Sequence, residues 1–384
     1  MTHTFRLFVA SGIFHPEPGG PATYLYDLLP ELQQRGWAIR ALSYGSGAID
    51  GYPYPLKRIP RRFLLLRVAH YALVARPRVQ WADLVYIHTL GLPLPGVRSK
   101  PRIVKIVGDQ AWERAVRRGW IPPTEDIDAF QRKRYGVRVT LQKAARAREV
   151  RAMDGVIVPS EYLKHMVVGW GVDERKVHVI YNALPLRDTV GFISLSNVSQ
   201  QEAREQLNLG DAPLVLTAAR LLPWKGVDHL LSSLRRVPDV RLLVAGEGPM
   251  AEPWAQQAEQ IGLGRRVTFL GHVPRERLAL YMKAADYVAL YSGYEGLSHT
   301  LLESLRVGTP VIASDKGGNP EVVQHEGNGL LVPYVDVEAL AAALTEAFAP
   351  GKRALLAANA HLGMERFDFG RMVEQTDSVL KQYI

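Results

Sequence analysis

The chain has 384 residues, 47% hydrophobic and 22% charged, with no cysteine and a formal net charge of +9. That length suits two domains of ordinary globular composition. The missing cysteines exclude disulfides, zinc–thiolate sites and cysteine nucleophiles, and fit a reducing compartment.

Arg6 to Ser11 reads as a first strand; Phe5 to Phe14 is too short, and too interrupted by Arg6, for a signal peptide. No run approaches the length of a membrane-spanning helix. Gly12 to Thr23 is too rich in glycine and proline for regular structure, and Tyr24 to Arg35 has apolar residues at helical spacing before Gly36. In this strand–loop–helix unit Gly19 and Gly20 would let the backbone approach a phosphate closely. It is not the G-x-G-x-x-G fingerprint, and a plain turn is the other reading.

Further strands are predicted at 84–88, 102–107, 155–158 and 177–181, with a capped helix start at Ser160. Short apolar strands alternating with helices predict a parallel sheet covered on both faces. Ligands of such sheets bind beyond the carboxyl ends of the strands. That rule places Gly19, Gly20, His88, Gly108 and Asp109 on one rim. His88, ahead of a Gly/Pro-rich loop, is either a ligand contact or structural.

Periodicity fades from Leu186 to Gln206, which puts a domain boundary there. The expected division is a first domain over 1–187, a linker over 188–212, a second domain over 213–363 and a closing helix over 364–384. The pattern restarts with strand Leu214 to Ala219, loop Arg220 to Lys225 and a helix from Gly226. Strand Val240 to Ala245 meets Gly246-Glu-Gly-Pro249, and Val267 to Leu270 meets Gly271-His-Val273. Tyr287 to Tyr291 and Val311 to Ser314 follow as strands, the latter ahead of Lys316-Gly-Gly-Asn-Pro-Glu321. The fold class is therefore α/β, with two Rossmann-like doubly wound domains. The closing helix offers Phe367, Phe369, Met372 and Leu380 for packing.

The second domain carries the chemistry. Tyr291 to Glu303 runs from a strand through a loop into a helix, with Ser298 as N-cap, Glu295 in the loop and Glu303 just over one turn inside. The helix start is a site for a phosphate. One carboxylate could then face the reacting end of a phosphorylated ligand and the other its far end; two ordinary surface glutamates is the alternative. Arg220 and Lys225 lie in a loop at a strand's carboxyl end, and two cations suit a diphosphate leaving with negative charge.

The positive charge is uneven. Arg132, Lys133, Arg134, Arg138, Lys143, Arg146, Arg148 and Arg151 fall in one helical stretch with Glu149 the only acid, and Arg61, Arg62, Arg67, Arg76 and Arg78 form an earlier cluster. The stretch is either a solvated helix face or a surface for an anionic partner such as a membrane or a phosphorylated acceptor. A pI near 9.6 would suit nucleic acid. No nucleic-acid motif occurs, and none is expected as a partner.

Gly19-Gly20, Arg220…Lys225-Gly226, Gly246-Glu-Gly-Pro249, Gly271-His-Val273, Glu295-Gly-Leu-Ser…Leu-Leu-Glu303 and Gly317-Gly-Asn-Pro-Glu321 occur in the order seen in family 4 of the retaining nucleotide-sugar glycosyltransferases. The chain resembles that family over essentially its whole length, most strongly from Leu214 to Pro333. The resemblance implies a fold of the glycosyltransferase B type, with a donor cleft between the domains and the closing helix returning to the first. It implies that Arg220 and Lys225 hold the donor diphosphate, that Glu303 binds the ribose, and that Glu295 lies beside the transferred sugar. Gly246, Val273 and the backbone of Ser298, His299 and Thr300 would complete the donor site, and the Gly19-Gly20 loop would close over the diphosphate. The implied activity is retaining, metal-independent transfer of a hexosyl unit to a hydroxyl of a glycolipid, polysaccharide or small molecule. The nucleotide sugar is then a co-substrate, and no cofactor is expected.

One departure stands out. Many members carry a histidine where this chain reads Val107-Gly-Asp-Gln-Ala-Trp-Glu113. Asp109 there either contacts sugar or acceptor as a catalytic candidate, or caps the following helix. Asp126-Ile-Asp128 superficially matches a metal-binding Asp-x-Asp but follows Pro122-Pro123-Thr124, and reads as the acidic start of a helix. A nucleotide-sugar epimerase of the same fold and an inactive binding relative are the alternatives. The expected location is cytoplasmic, in solution or at the inner face of a membrane through Arg132 to Arg151.

Overall fold

Seven strands build the first sheet: β1 (Phe5–Ser11), β2 (Trp37–Tyr44), β3 (Leu56–Ile59), β4 (Leu84–Ile87), β5 (Arg102–Lys105), β6 (Gly155–Val158) and β7 (Val177–Val179). The computed structural model describes residues 4–17, 20–47, 50–61, 63–184, 195 and 197–384. Gly19, Arg62, the end of the expected first domain at 185–187 and the start of the expected linker at 188–194 lie outside the described residues. The strand order is β3-β2-β1-β4-β5-β6-β7 and the pairings are parallel. The strands β4 and β6 are buried throughout, as their unbroken apolar sequences require of strands covered on both faces.

The sequence reading did not anticipate β2 and β3. β2 follows the Gly36 turn at once and is buried or half-buried throughout, and β3 is an edge strand carrying Lys57 and Arg58. The first helix also begins earlier than expected, at Gly20 rather than Tyr24. A proline in a first helical turn gives up only a donor that has no partner there, so Pro21 does not delay the start.

The first unit comprises Met1–Ala115, Gln131–Asn182 and Phe369–Ile384. Its last helix, Phe369–Lys381, buries Met372, Val373, Val379 and Leu380. It is held by Trp37 Nε1, which donates to Asp377 Oδ1 at 2.7 Å, and by a 2.9 Å hydrogen bond between His178 and the Tyr383 hydroxyl. Phe367 precedes it in a 3-10 turn and Phe369 is half-buried, so the packed face is narrower at its start than the sequence suggested. Val116–Phe130, read from sequence as part of the first domain, groups with the second unit.

The second unit comprises Val116–Phe130 and Ala183–Asp368. Its sheet has β8 (Leu214–Ala218), β9 (Arg241–Ala245), β10 (Val267–Gly271), β11 (Tyr287–Leu290), β12 (Val311–Ser314) and β13 (Gly329–Val332) in the order β10-β9-β8-β11-β12-β13. β13 was not foreseen. A core of Leu230, Leu234, Trp254, Tyr287, Ile312, Leu340 and Leu344, among others, covers this sheet. From β8 the chain steps one way to β9 and β10, then returns to the other side of β8 for β11. This reversal separates the loops leaving β8 and β11, and ligands of open α/β sheets bind in such a crevice.

Candidate active site

The loop after β8 is shaped by its apolar residues. Leu221, Leu222 and Trp224 are buried, and Pro223–Lys225 form a 3-10 turn, so the polar ends of the segment are Arg220, which is exposed, and Lys225. Gly226 then turns at φ +64°, and a Cβ there would lie 1.9 Å from the Tyr291 carbonyl oxygen. Only glycine fits both demands. Gly293 N donates to Trp224 O at 2.8 Å, tying the β8 loop to the β11 loop.

That tie brings Lys225 Nζ to 2.5 Å from Glu295 Oε1, with both side chains about 15% exposed (15% and 14%). The two residues are 70 apart in sequence. The Glu295 backbone is held from the β12 side. Gly318 N donates to Glu295 O at 2.9 Å, and Cβ atoms at Gly317 and Gly318 would meet Glu295 O and Gly296 O at 2.2 and 2.5 Å. The Gly-Gly-Asn sequence after β12 therefore serves as a close-packed seat for the glutamate loop.

Ser298 caps the helix His299–Arg306 as expected, its side chain accepting from Leu301 N at 3.3 Å. Thr300 Oγ1 donates to Ala218 O at 3.2 Å, which fixes the helix start against the end of β8. The positive end of the helix dipole is thus anchored beside the strand that leads to Arg220.

Glu303, expected to bind a ribose, is buried and paired. Arg275 Nη2 and Nε approach its Oε1 at 2.9 and 3.1 Å. Burial pushes the Glu303 carboxyl up, while Arg275 and Arg306 pull it back toward ionisation. Arg275 was missed from sequence, although it lies just beyond Gly271-His-Val273 at the start of the helix Arg275–Ala284. Val273 itself is half-buried one residue before the capping Pro274. Gly246 adopts φ +129° and packs against Ala219 O, and its N–H is donated to Gly271 O at 2.8 Å. It joins the loops of β8, β9 and β10 at the strand ends where the sequence reading expected a donor contact.

The first unit corrects another expectation. Asp109 is fully buried, and neither oxygen is left for a ligand. Its Oδ1 accepts from Ala111 N at 2.9 Å and Trp112 N at 3.2 Å, capping the helix Gln110–Arg117. Its Oδ2 accepts from Gln131 Nε2 at 2.9 Å and pairs with the buried Arg146. Arg146 in turn lies 3.9 Å over the Trp170 ring. Of the two readings left open by the sequence, capping is the one the geometry supports. Gly20 is the first residue of its helix, and Gly19 lies outside the described residues.

His88 is buried among Tyr24, Tyr86 and Lys105. Lys105 Nζ sits 3.7 Å over the Tyr24 ring with no hydrogen-bond partner, and burial lowers its pKa to about 7. Asp126 caps the helix Ile127–Arg132 through Ala129 N at 2.8 Å, and its other oxygen lies 3.4 Å from Lys316 Nζ. This agrees with the helix-start reading. In the basic stretch, Arg146 is buried and Lys143 donates to the carbonyls of Gln131 and Lys133, whereas Arg132, Lys133, Arg134, Arg138, Arg148 and Arg151 are exposed.

Two family models match the chain: Glycosyltransferase Family 4 over 18–188 and Glycosyl transferases group 1 over 199–360. A GDP-mannose-dependent alpha-(1-6)-phosphatidylinositol monomannoside mannosyltransferase of Mycolicibacterium smegmatis is 36% identical over 39% of this chain and 42% of its own. A D-inositol 3-phosphate glycosyltransferase of Xylanimonas cellulosilytica is 35% identical over 57% of this chain and 54% of its own. The chain thus matches about half the length of these relatives. Among solved structures, a sucrose-phosphate synthase of Thermosynechococcus elongatus shares the fold, with a TM-score of 0.80 over 98% of each chain at 23% identity.

Proposed function

This chain belongs to glycosyltransferase family 4, and from that premise we propose that it moves a hexosyl unit from a nucleoside-diphosphate sugar to a hydroxyl acceptor, with retention and without a metal. The observation that carries the reading is the convergence of Arg220, the Lys225–Glu295 pair and the capped start of the helix His299–Arg306 on the carboxyl rim of the second sheet. The GDP-mannose dependence named for the mycolicibacterial relative supports a nucleotide-sugar donor, and its phosphatidylinositol acceptor favours a glycolipid of the cell envelope.

In this reading Arg220 and Lys225 receive the diphosphate, with the helix dipole behind them. Breaking the bond from sugar C1 to the diphosphate oxygen leaves charge on that oxygen. Preformed cations there lower the barrier without reorganisation at the moment of reaction. The acceptor oxygen bonds to C1 on the face the diphosphate leaves, and its proton passes to the departing phosphate. Lys225 exchanges its bond to Glu295 for the phosphates, which turns the carboxylate toward the sugar hydroxyls. Glu303, held by Arg275, accepts from the ribose. Asp109 has no part in the chemistry and positions the helix Gln110–Arg117. The exposed arginines of 132–151 bring the protein to an anionic membrane, each contributing about 1 kcal/mol near the surface. No helix among the described residues is long and apolar enough to cross it.

The test is Arg220→Ala. A thermal-shift panel of nucleoside diphosphates first identifies the base, and titration of that nucleotide into the variant then reads the contact. Transfer should fall nearly to background and nucleotide affinity should drop sharply. Unchanged affinity would sink the assignment.

A further inference from the structure

The helix Leu64–Trp81 has 18 residues, so it runs about 27 Å at 1.5 Å per residue. The strands it joins, β3 and β4, have four residues each and span roughly 13 Å. The helix therefore overhangs its sheet. Its buried residues are Tyr71, Ala75 and Val79, one face of the last three turns only. The overhanging start should be polar in a freely soluble domain, and it is not. Phe63 is 85% exposed and Leu65 82% exposed, with Leu64, Leu66 and Leu73 all more than half exposed. Isolated exposed leucines are ordinary, but a contiguous run of this kind marks an interaction surface.

The surrounding charge identifies the partner. No carboxylate occurs between Asp50 and Asp83, while Arg61 and Arg67 flank the run. Arg61 pairs with Glu17 yet stays about half exposed (49%). Arg67 leans over the Tyr44 ring at 5.6 Å, at the foot of the apolar turn. Apolar side chains at a helix start flanked by arginine fit the boundary between anionic headgroups and acyl chains.

A second helix start has the same character. The helix Val137–Arg151 begins with Val137 75% exposed and Leu141 61% exposed, one turn apart, beside Arg134 and Arg138. Both helices end three or four residues before the next parallel strand begins. Their starts therefore point toward the carboxyl ends of the strands. The steps from β3 to β4 and from β5 to β6 run the same way across the sheet. Right-handed crossovers then place both helices on one face.

We propose that Phe63 and the first turns of the helix Leu64–Trp81 insert into an anionic lipid surface, with the start of the helix Val137–Arg151 docking beside them. This deepens the membrane contact proposed above from attraction by charge to insertion, and it is independent of the transfer chemistry. It gives binding a component that salt does not screen, since apolar burial persists where surface charge attraction fades.

Because the chain has no native cysteine, one label can be placed at will. Leu65→Cys carrying an environment-sensitive dye should shift to the blue on anionic vesicles, and Leu355→Cys, exposed in the other unit, should not. In sedimentation, part of the wild-type binding should survive high salt. Phe63→Ser/Leu65→Ser should weaken vesicle partitioning roughly tenfold or more, with nucleoside diphosphate affinity unchanged as the check on folding. Wild-type binding that is lost entirely in high salt, with a silent dye at Leu65, overturns insertion and leaves the electrostatic contact standing. No binding to anionic vesicles at low salt overturns both. A wild-type dimer that the double variant converts to a monomer overturns the lipid assignment in favour of a second copy of this chain.

Discussion

Glu295→Gln separates two roles that the free site combines. The carboxylate lies 2.5 Å from Lys225 Nζ, and the pair is largely shielded from water. A donor diphosphate must compete with Glu295 for that ammonium. At an effective dielectric near 20, two unit charges about 4 Å apart interact by roughly 4 kcal/mol. Residual solvent and the hydrogen bond that glutamine keeps reduce the competing term to about 1–2 kcal/mol. Neutralising Glu295 should therefore tighten nucleoside diphosphate binding, by about 5- to 30-fold. The same change removes the proposed acceptor of sugar hydroxyls, so turnover should fall although the nucleotide is held more firmly. Calorimetric titration of the nucleoside diphosphate reads the first effect and steady-state transfer the second. Raising the salt should narrow the affinity gap, since the gained interaction is ionic. Binding weakened more than tenfold in Glu295→Gln would refute the reasoning and place this carboxylate on the nucleotide.

Two further outcomes follow from buried charges. Arg275→Ala leaves Glu303 buried without its clamp, and should cost about 1–3 kcal/mol of stability and weaken nucleoside diphosphate binding about as much as Glu303→Ala does, with wild-type affinity in a titration as the contrary result. Lys105→Met should stabilise the protein. Lys105 titrates near 7 when folded and near 10.5 when unfolded, so only the unfolded chain holds the proton between those values and wild-type stability rises with pH across that window. The advantage of methionine is then greatest below pH 7, up to about 4 kcal/mol, and closes by pH 10.5; equal wild-type and variant melting curves at pH 6 would contradict it.

What the sequence made legible was local. The strand that leads to Arg220 and the N-cap at Ser298 announce themselves within a few residues, because apolar periodicity and capping are short-range signals. The glycine motifs were visible too, but their meaning was not. Gly226, Gly246 and Gly317 all meet a carbonyl oxygen of a different loop at a distance no Cβ permits. They shape the site by letting strand-end loops touch, and no feature of their own segments says which loop they touch. Arg275 escaped notice for the same reason, since its partner is 28 residues away and the pairing exists only once the sheet has formed.

Asp109, expected on an open rim, and the helix Leu64–Trp81, on which the sequence reading was silent, depart from local pattern in opposite directions and for one cause. An aspartate at a strand's carboxyl end suggests a site, while an apolar run such as Phe63 to Leu66 suggests a core. Burial reverses both. Asp109 is enclosed because Arg146, a member of what looked like a solvated basic face, turns inward to meet it. The apolar run is bare because the helix is about twice as long as the strands it connects. Which basic residue turns inward and how far a helix outruns its sheet are properties of the assembled unit. The second of them leaves this unit with an apolar, arginine-flanked helix start at the carboxyl rim of its sheet, the feature on which the proposed lipid contact rests.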